Sequence, residues 1–187
     1  DQKENRFACR RSAAGGRVLD CFCNGVGFSM NAATAASEVI AADISALAHA
    51  TVKRNAELNG FQNVKTVQGD IFELLREYKK AGEKFDLIVL DPPAFCKSAA
   101  EVKDAYRGYK DVNLTAMKLV KSGGYLISCS CSHYMTLPLF EKMLAEAAKE
   151  SGRKARCLES RTQAPDHPAL LNAEETSYLK FFALQIV

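Results

Sequence analysis

An α/β sandwich, built on a mostly parallel seven-stranded sheet whose last strand runs antiparallel, is the fold class this sequence predicts. Three observations predict it. Short β-branched apolar runs alternate with longer stretches of helical periodicity, the pattern of strands joined by crossover helices. The 187 residues are 48% hydrophobic and 25% charged, which suits one globular domain and excludes a disordered segment. The last two apolar runs are separated only by the loop around Ala164-Pro165-Asp166-His167-Pro168. That leaves no room for a crossover helix, so the final strand must return antiparallel.

Taken in order, Arg17–Asp20 reads as the first strand, Phe28–Ala36 as a helix and Val39–Asp43 as the second strand. Ser45 suits the N-cap of a helix over Ala46–Leu58, which Asn59-Gly60 stops. Val64–Asp70 is the third strand, followed by a helix to about Lys80. Phe85–Leu90 is almost continuously apolar, as a strand buried on both faces should be. Ala105–Val120 looks helical, Gly123-Gly124 turns the chain, and Tyr125–Ser130 is the fifth strand. An amphipathic helix over Leu139–Ser151 ends at Gly152, and strands near Ala155–Ser160 and Tyr178–Ile186 complete the sheet.

Composition removes several function classes. Lys and Arg total 25 against 22 for Asp and Glu, a net charge of +3, too mild to mark a nucleic-acid binder by itself. No apolar run reaches the roughly 18 residues of a membrane span, and no signal segment opens the chain. Seven cysteines cannot all pair and show no framework spacing, which predicts thiols in a reducing, cytoplasmic setting. The first residue is Asp1 and not Met, as expected of a processed or excised domain.

Four successive strands finish on aspartate: Asp20, Asp43, Asp70 and Asp91. In open α/β sheets ligands bind beyond the carboxyl ends of the strands, so a row of carboxylates there suits a ligand rich in hydrogen-bond donors. Each Asp taken alone could equally cap the helix that follows it. Between the first strand and its helix, Gly25 and Gly27 permit a tight turn and close ligand approach, but Met30 stands where a dinucleotide fingerprint has a small residue. With no phosphate-binding Gly-Lys-Ser/Thr loop either, S-adenosylmethionine fits better than a dinucleotide or a nucleoside triphosphate. Asp20 and the glycine turn would serve its methionine end, Asp43 its ribose hydroxyls and Asp70 its adenine amine. The spacing as a whole resembles a Rossmann-like class I methyltransferase.

Asp91-Pro92-Pro93-Ala94-Phe95 follows the fourth strand, and its two prolines impose a stiff exit. An acid at the base of that loop and an aromatic at its tip would clamp a flat base. The motif resembles the Asp/Asn-Pro-Pro-aromatic signature of methyltransferases acting on exocyclic amines, from which the inserted Ala94 departs. Beyond the fifth strand, Cys131 opens onto the same edge. Carbon 5 of a pyrimidine becomes a nucleophile once a thiolate adds at carbon 6, chemistry that needs an exposed cysteine of lowered pKa beside a group holding the ring edge, the role open to Asp91. The base for the carbon-5 proton is not identified, His133 being one candidate. A four-thiolate metal site from Cys21, Cys23, Cys129 and Cys131 lacks the usual wide spacing, so no metal is expected. Arg6, Arg10, Arg11 and Arg17 either contact RNA backbone or are plain surface.

Asp1-Gln2-Lys3-Glu4-Asn5-Arg6, Asp91-Pro92-Pro93, Arg107–Asn113, Ser130-Cys131-Ser132 and Ala164–Pro168 together resemble, in order, the bacterial large-subunit ribosomal RNA cytosine-5 methyltransferases. The resemblance covers residues 1–187 as one methyltransferase domain, without the RNA-binding PUA domain and β-hairpin that family members carry ahead of it. It implies Cys131 as nucleophile with Asp91 beside it. Cofactor residues would be Asp20, Phe22, Asn24, Gly25, Gly27, Asp43, Ile44, Asp70, Ile71 and Asp91. Substrate residues would be Pro92, Pro93, Phe95, Arg107, Tyr109, Lys110 and His167. The partner implied is large-subunit ribosomal RNA, with a homodimer left open and no membrane. Two rival readings stay open: methylation of an exocyclic amine or ring nitrogen, and a non-catalytic module binding cofactor or RNA.

Overall fold

The computed structural model describes residues 1–24 and 27–187. Its elements run α1 (Lys3–Ala13), β1 (Arg17–Cys21), α2 (Gly27–Ala33), β2 (Glu38–Asp43), α3 (Ala46–Leu58), β3 (Val64–Gln68), α4 (Ile71–Lys80) and β4 (Phe85–Leu90). They continue through α5 (Val102–Leu119), β5 (Val120–Ser130), α6 (Leu137–Ser151), β6 (Ala155–Arg161) and β7 (Lys180–Ile186). The seven strands order as β3-β2-β1-β4-β5-β7-β6, and β7 alone runs against the others, wedged between β5 and β6. The predicted fold class is therefore the observed one, including the reversed last strand.

Alternation along the strands assigns each side chain to one of two cores. Leu19 and Cys21 of β1, Ile88 and Leu90 of β4, and Phe182 and Leu184 of β7 face the side covered by α4, α5 and α6. Val18, Leu87, Val89, Ile127, Cys129 and Phe181 face the other side, under α1 and α2. A strand buried on both faces cannot show a period of two in its hydrophobicity, which is why β4 reads as a continuous apolar run. Asp20 falls on the α1–α2 face of β1, between Leu19 and Cys21, and so is a carboxylate in the core.

Local chemistry fixes the helix ends. Ser45 accepts from the Ala48 amide at 3.3 Å and Asp70 accepts from the Glu73 amide at 3.1 Å, each satisfying a first-turn N–H. Gly60 (φ 69°) and Gly152 (φ 73°) take the left-handed conformation that ends α3 and α6. One predicted turn is different in kind. Gly123 and Gly124 lie inside β5, where pairing with β4 jumps from Phe85–Val120 to Leu87–Tyr125. A Cβ on Gly124 would stand 2.7 Å from the Asp86 carbonyl, so glycine is there to let two strands close over a bulge.

Helix α1 is absent from the sequence-based reading. Its inward face is Asn5, Cys9 and Ala13, too little apolar surface to register as amphipathic. The arginines of this region are mostly engaged within the protein. Arg10 donates to Asn31 at 3.1 and 3.0 Å and covers the Phe7 ring, Arg11 pairs with Glu159, and Arg17 pairs with Glu38 and Glu83.

Candidate active site

The C-terminal ends of β2, β1, β4 and β5 open onto one cavity of about 600 Å³, within the size range of small-molecule sites. It lies where the strand order reverses between β1 and β4, the place such sheets bind ligands.

One half of the cavity is built by β1, β2 and α1. Phe22 and Asn24, just past β1, both hold positive φ (61° and 42°), strain of the kind that persists where a loop is shaped for a ligand. The Asn24 amide donates to Asp43 Oδ2 at 3.0 Å and the Ser45 amide to Asp43 Oδ1 at 2.9 Å, so the Asp43 carboxylate is locked in orientation at the cavity wall. Ile44 beside it is 67% exposed, an apolar surface open to a flat ring. Deeper in, Ser29 Oγ donates to Asp20 Oδ2 at 2.5 Å, while Asp20 Oδ1 is buried with no partner. Arg6 lies across Gly27, where a Cβ would meet its Nε at 2.4 Å, and that Nε is likewise buried and unpartnered. An unsatisfied buried carboxylate oxygen and an unsatisfied buried guanidinium nitrogen are what a zwitterionic amino-acid group would satisfy. Burial pushes the Asp20 carboxyl up to about 7, helped by the negative charge of Asp91 and opposed by Ser29 and Arg6.

The other half is built by β4, β5 and the first residues of the chain. Gln2 Nε2 donates to Asp91 Oδ1 at 3.1 Å, and burial raises the Asp91 carboxyl to about 6 against the pull of Gln2 and Arg6. Pro92 and Pro93 line the wall beside it, and half-buried Cys131 faces the same space. Cys131 is held from below. Ser130 Oγ donates to the Tyr109 hydroxyl at 3.0 Å, that hydroxyl and Ser132 Oγ share a 2.9 Å bond, and Lys180 Nζ donates to the Ser132 carbonyl at 2.6 Å. Burial, then Asp91, raise the Cys131 thiol, while Lys180 pulls it down.

The structure brings Asp20, Phe22, Asn24, Gly27, Asp43, Ile44, Asp91, Pro92, Pro93 and Cys131 to one cavity. Gly25 lies outside the described residues. Several other predicted positions do not line the cavity. Asp70 is the exposed cap of α4 and Ile71 a core residue. Tyr109 is corrected from a substrate residue to a buried one, because its ring is sealed between Phe95 and Phe140. Phe95 packs against the rings of Phe22, Phe72 and Tyr109 and does not line the cavity. Lys110 pairs with Glu146 and Glu150 on α6, Arg107 with Asp104, and His167 with neighbouring Asp166, all outside the cavity. Gln2, Arg6 and Leu179 line the cavity without having been singled out as site residues.

Residues 12–182 match the family model of the methyltransferase domain. The chain belongs to that family. Among curated relatives, the ribosomal RNA large subunit methyltransferase I of Aeromonas hydrophila is 46% identical over 183 residues, covering 96% of this chain and 46% of its own. The protein of the same name from Tolumonas auensis is 45% identical over 190 residues, covering 100% of this chain and 48% of its own. This methyltransferase domain thus spans about half the length of the curated relatives it matches. Its fold is that of SMU.776 complexed with SAH, with a TM-score of 0.87 and 23% identity, over 100% of this chain and 49% of that one. Among the described residues no group of His, Cys, Asp and Glu is placed to hold a metal ion, and no helix is long and apolar enough to cross a membrane.

Proposed function

We propose that this methyltransferase domain moves a methyl group from S-adenosylmethionine to carbon 5 of a cytosine in large-subunit ribosomal RNA, through a covalent adduct on Cys131. The observation that carries the reading is that Cys131 and Asp91 share one cavity with the carboxylates suited to the cofactor. The names of the Aeromonas and Tolumonas relatives supply the RNA class.

The donor groups fit S-adenosylmethionine. Asp20 would hold its ammonium, Arg6 its carboxylate, Asp43 the ribose hydroxyls, and Ile44 a face of the adenine. When bound, the cofactor supplies a methyl group on a sulfonium. Cys131 Sγ, as thiolate, adds to carbon 6, and the electron pair displaced from the carbon 5–carbon 6 double bond makes carbon 5 the atom that takes the methyl group. Asp91, with its carboxyl near 6, is poised to share a proton with the N3/N4 edge as that electron density develops. Loss of the carbon-5 proton to a base then expels the thiolate and restores the aromatic ring. Pro92 and Pro93 give the base a stiff wall.

The test is transfer of labelled methyl to protein-free large-subunit RNA, by this chain alone and joined to the remaining half of the Aeromonas relative, followed by digestion to nucleosides. Label in 5-methylcytosine supports the reading, and label in an N-methylated base overturns it. A binding prediction accompanies it. Asp43→Ala should weaken cofactor binding about 10- to 100-fold, since the carboxylate would accept two ribose hydroxyl bonds. A cofactor analogue lacking both hydroxyls should lose a similar factor on wild type and almost nothing further on Asp43→Ala, as isothermal titration will read. Equal binding of the analogue by both, at wild-type strength, removes Asp43 from this role.

A further inference from the structure

Lys180, the first residue of β7, stands opposite Ser130 in the sheet and is only 5% exposed. Its Nζ donates to the Ser132 carbonyl and to the Tyr178 carbonyl, each at 2.6 Å, and both acceptors are neutral. Among the described residues no carboxylate forms an ion pair with it, although a lysine buried to this degree normally has one. The ionisable group that acts on it is the Cys131 thiol, one residue before the carbonyl it holds.

We propose that Lys180 is a positioning residue for Cys131: its ammonium is the counter-charge of the Cys131 thiolate, and its bond to Ser132 fixes the segment that carries the sulfur. The inference rests on the nucleophilic role given to Cys131 above. The ionisable groups that interact with the sulfur come from four elements. They are Asp91 just past β4 and Lys180 on β7, which act on the sulfur, and Tyr109 on α5 and Cys129 on β5, which the sulfur acts on. Asp91 and Lys180 act in opposite senses, the carboxylate disfavouring the thiolate and the ammonium favouring it. Burial raises the Cys131 thiol and depresses the Lys180 ammonium to about 8, so at neutral pH the lysine is charged and stands as counter-charge to the thiolate formed when the thiol gives up its proton. The thiol proton leaves to water through the cavity that Cys131 faces.

Alkylation of Cys131 by iodoacetamide, resolved from the other cysteines by peptide mass spectrometry, reads the thiolate directly from about pH 6 to about pH 10. Lys180→Gln keeps a hydrogen-bond donor without the charge, and Lys180→Met removes both. In each variant the midpoint of the profile should move up by about one pH unit, lowering the rate near neutrality about tenfold. Profiles that superimpose on wild type overturn the proposal. So does a shift in Lys180→Met that Lys180→Gln restores, for then the tether and not the charge matters. A second measurement needs no change at Lys180. In Cys131→Ala, the Lys180 ammonium followed by NMR should titrate at lower pH than in wild type, because the thiolate no longer supports its charge, and an unchanged titration overturns the pairing. The two readings fail separately. Shifted profiles together with methyl transfer that survives Cys131→Ala leave the ion pair standing and remove the nucleophile.

Discussion

Cys131→Ala is expected to stop methyl transfer to carbon 5, by roughly 10³-fold or more, while cofactor affinity stays within about twofold of wild type. The size follows from the chemistry. Carbon 5 of cytosine does not attack a sulfonium at a useful rate until a nucleophile at carbon 6 has broken the aromaticity, so the thiolate is needed to make the step possible. The selectivity follows from the geometry, because Cys131 belongs to the Asp91 half of the cavity and Asp20, Arg6 and Asp43 to the other. The substitution removes one half-buried sulfur facing open space, so folding should be unaffected. Single-turnover transfer and isothermal titration measure the two quantities. If the label instead sits on a ring nitrogen or exocyclic amine and survives Cys131→Ala, the rival reading takes over, with Asp91-Pro92-Pro93 at its centre. Phe95 weighs against that rival, since the aromatic it would use as a clamp is packed beneath the loop.

Asp20→Asn is expected to have two large effects of opposite sign. Cofactor affinity should fall by about 10²- to 10³-fold, because the variant cannot offer a buried anion to an ammonium. The cofactor-free domain should become more stable near pH 8. In the folded chain the Asp20 carboxyl is raised from 3.8 to about 7 by burial. The folded state therefore holds this proton where the unfolded chain has released it. The stabilisation from the neutral acid is full below about 4 and is lost as pH rises through about 7, a difference of up to about 4 kcal/mol. Asparagine has no proton to lose, so its melting temperature should lack this part of the decline between about pH 4 and pH 7. Cofactor reverses the trend in wild type, and its stabilising effect should grow across the same interval as the carboxylate forms. Thermal melts of both proteins at two pH values, with and without cofactor, decide it. A wild-type profile parallel to that of Asp20→Asn would show that Asp20 ionises as freely as it does in water.

Much of this was legible in the sequence, for identifiable reasons. Strands buried on both faces leave continuous apolar runs, glycines end α3 and α6, and a 162–179 connection with no α-helix to cross the sheet lets β7 turn back. Asp43 and Asp91 were readable because strand ends converge on one edge whatever fills the rest of the sheet. The Asp70 position shows the limit of that argument, since the chain leaves β3 two residues earlier and the aspartate caps α4. Tyr109 shows another. Aromatic and basic residues alternate over Tyr106–Lys110, but α5 turns by 100° per residue and sends the Tyr109 ring inward while Arg107 faces solvent. Gln2 and Arg6 stand out in the sequence only as part of the opening segment and not as cavity residues, because that role depends on α1 packing beside α2. Lys180 did leave a trace, a lone cation opening the otherwise apolar Phe181-Phe182-Ala183-Leu184 run.

The position of β7 has a kinetic consequence. It is the last strand in chain order, yet it sits inside the sheet, between β5 and β6. Leu179 and Lys180 therefore reach Cys131 across about fifty residues of intervening chain, and Gln2 reaches Asp91 across eighty-nine. On a ribosome the first five strands can emerge and begin to pair well before β7 is synthesised, since domains acquire structure progressively as they are made. Cys131, the proposed nucleophile, would then acquire the proposed ammonium partner only when β7 docks. A partly folded domain that has paired its first five strands but not yet docked β7 would thus hold most of the sheet and lack the proposed partner of Cys131.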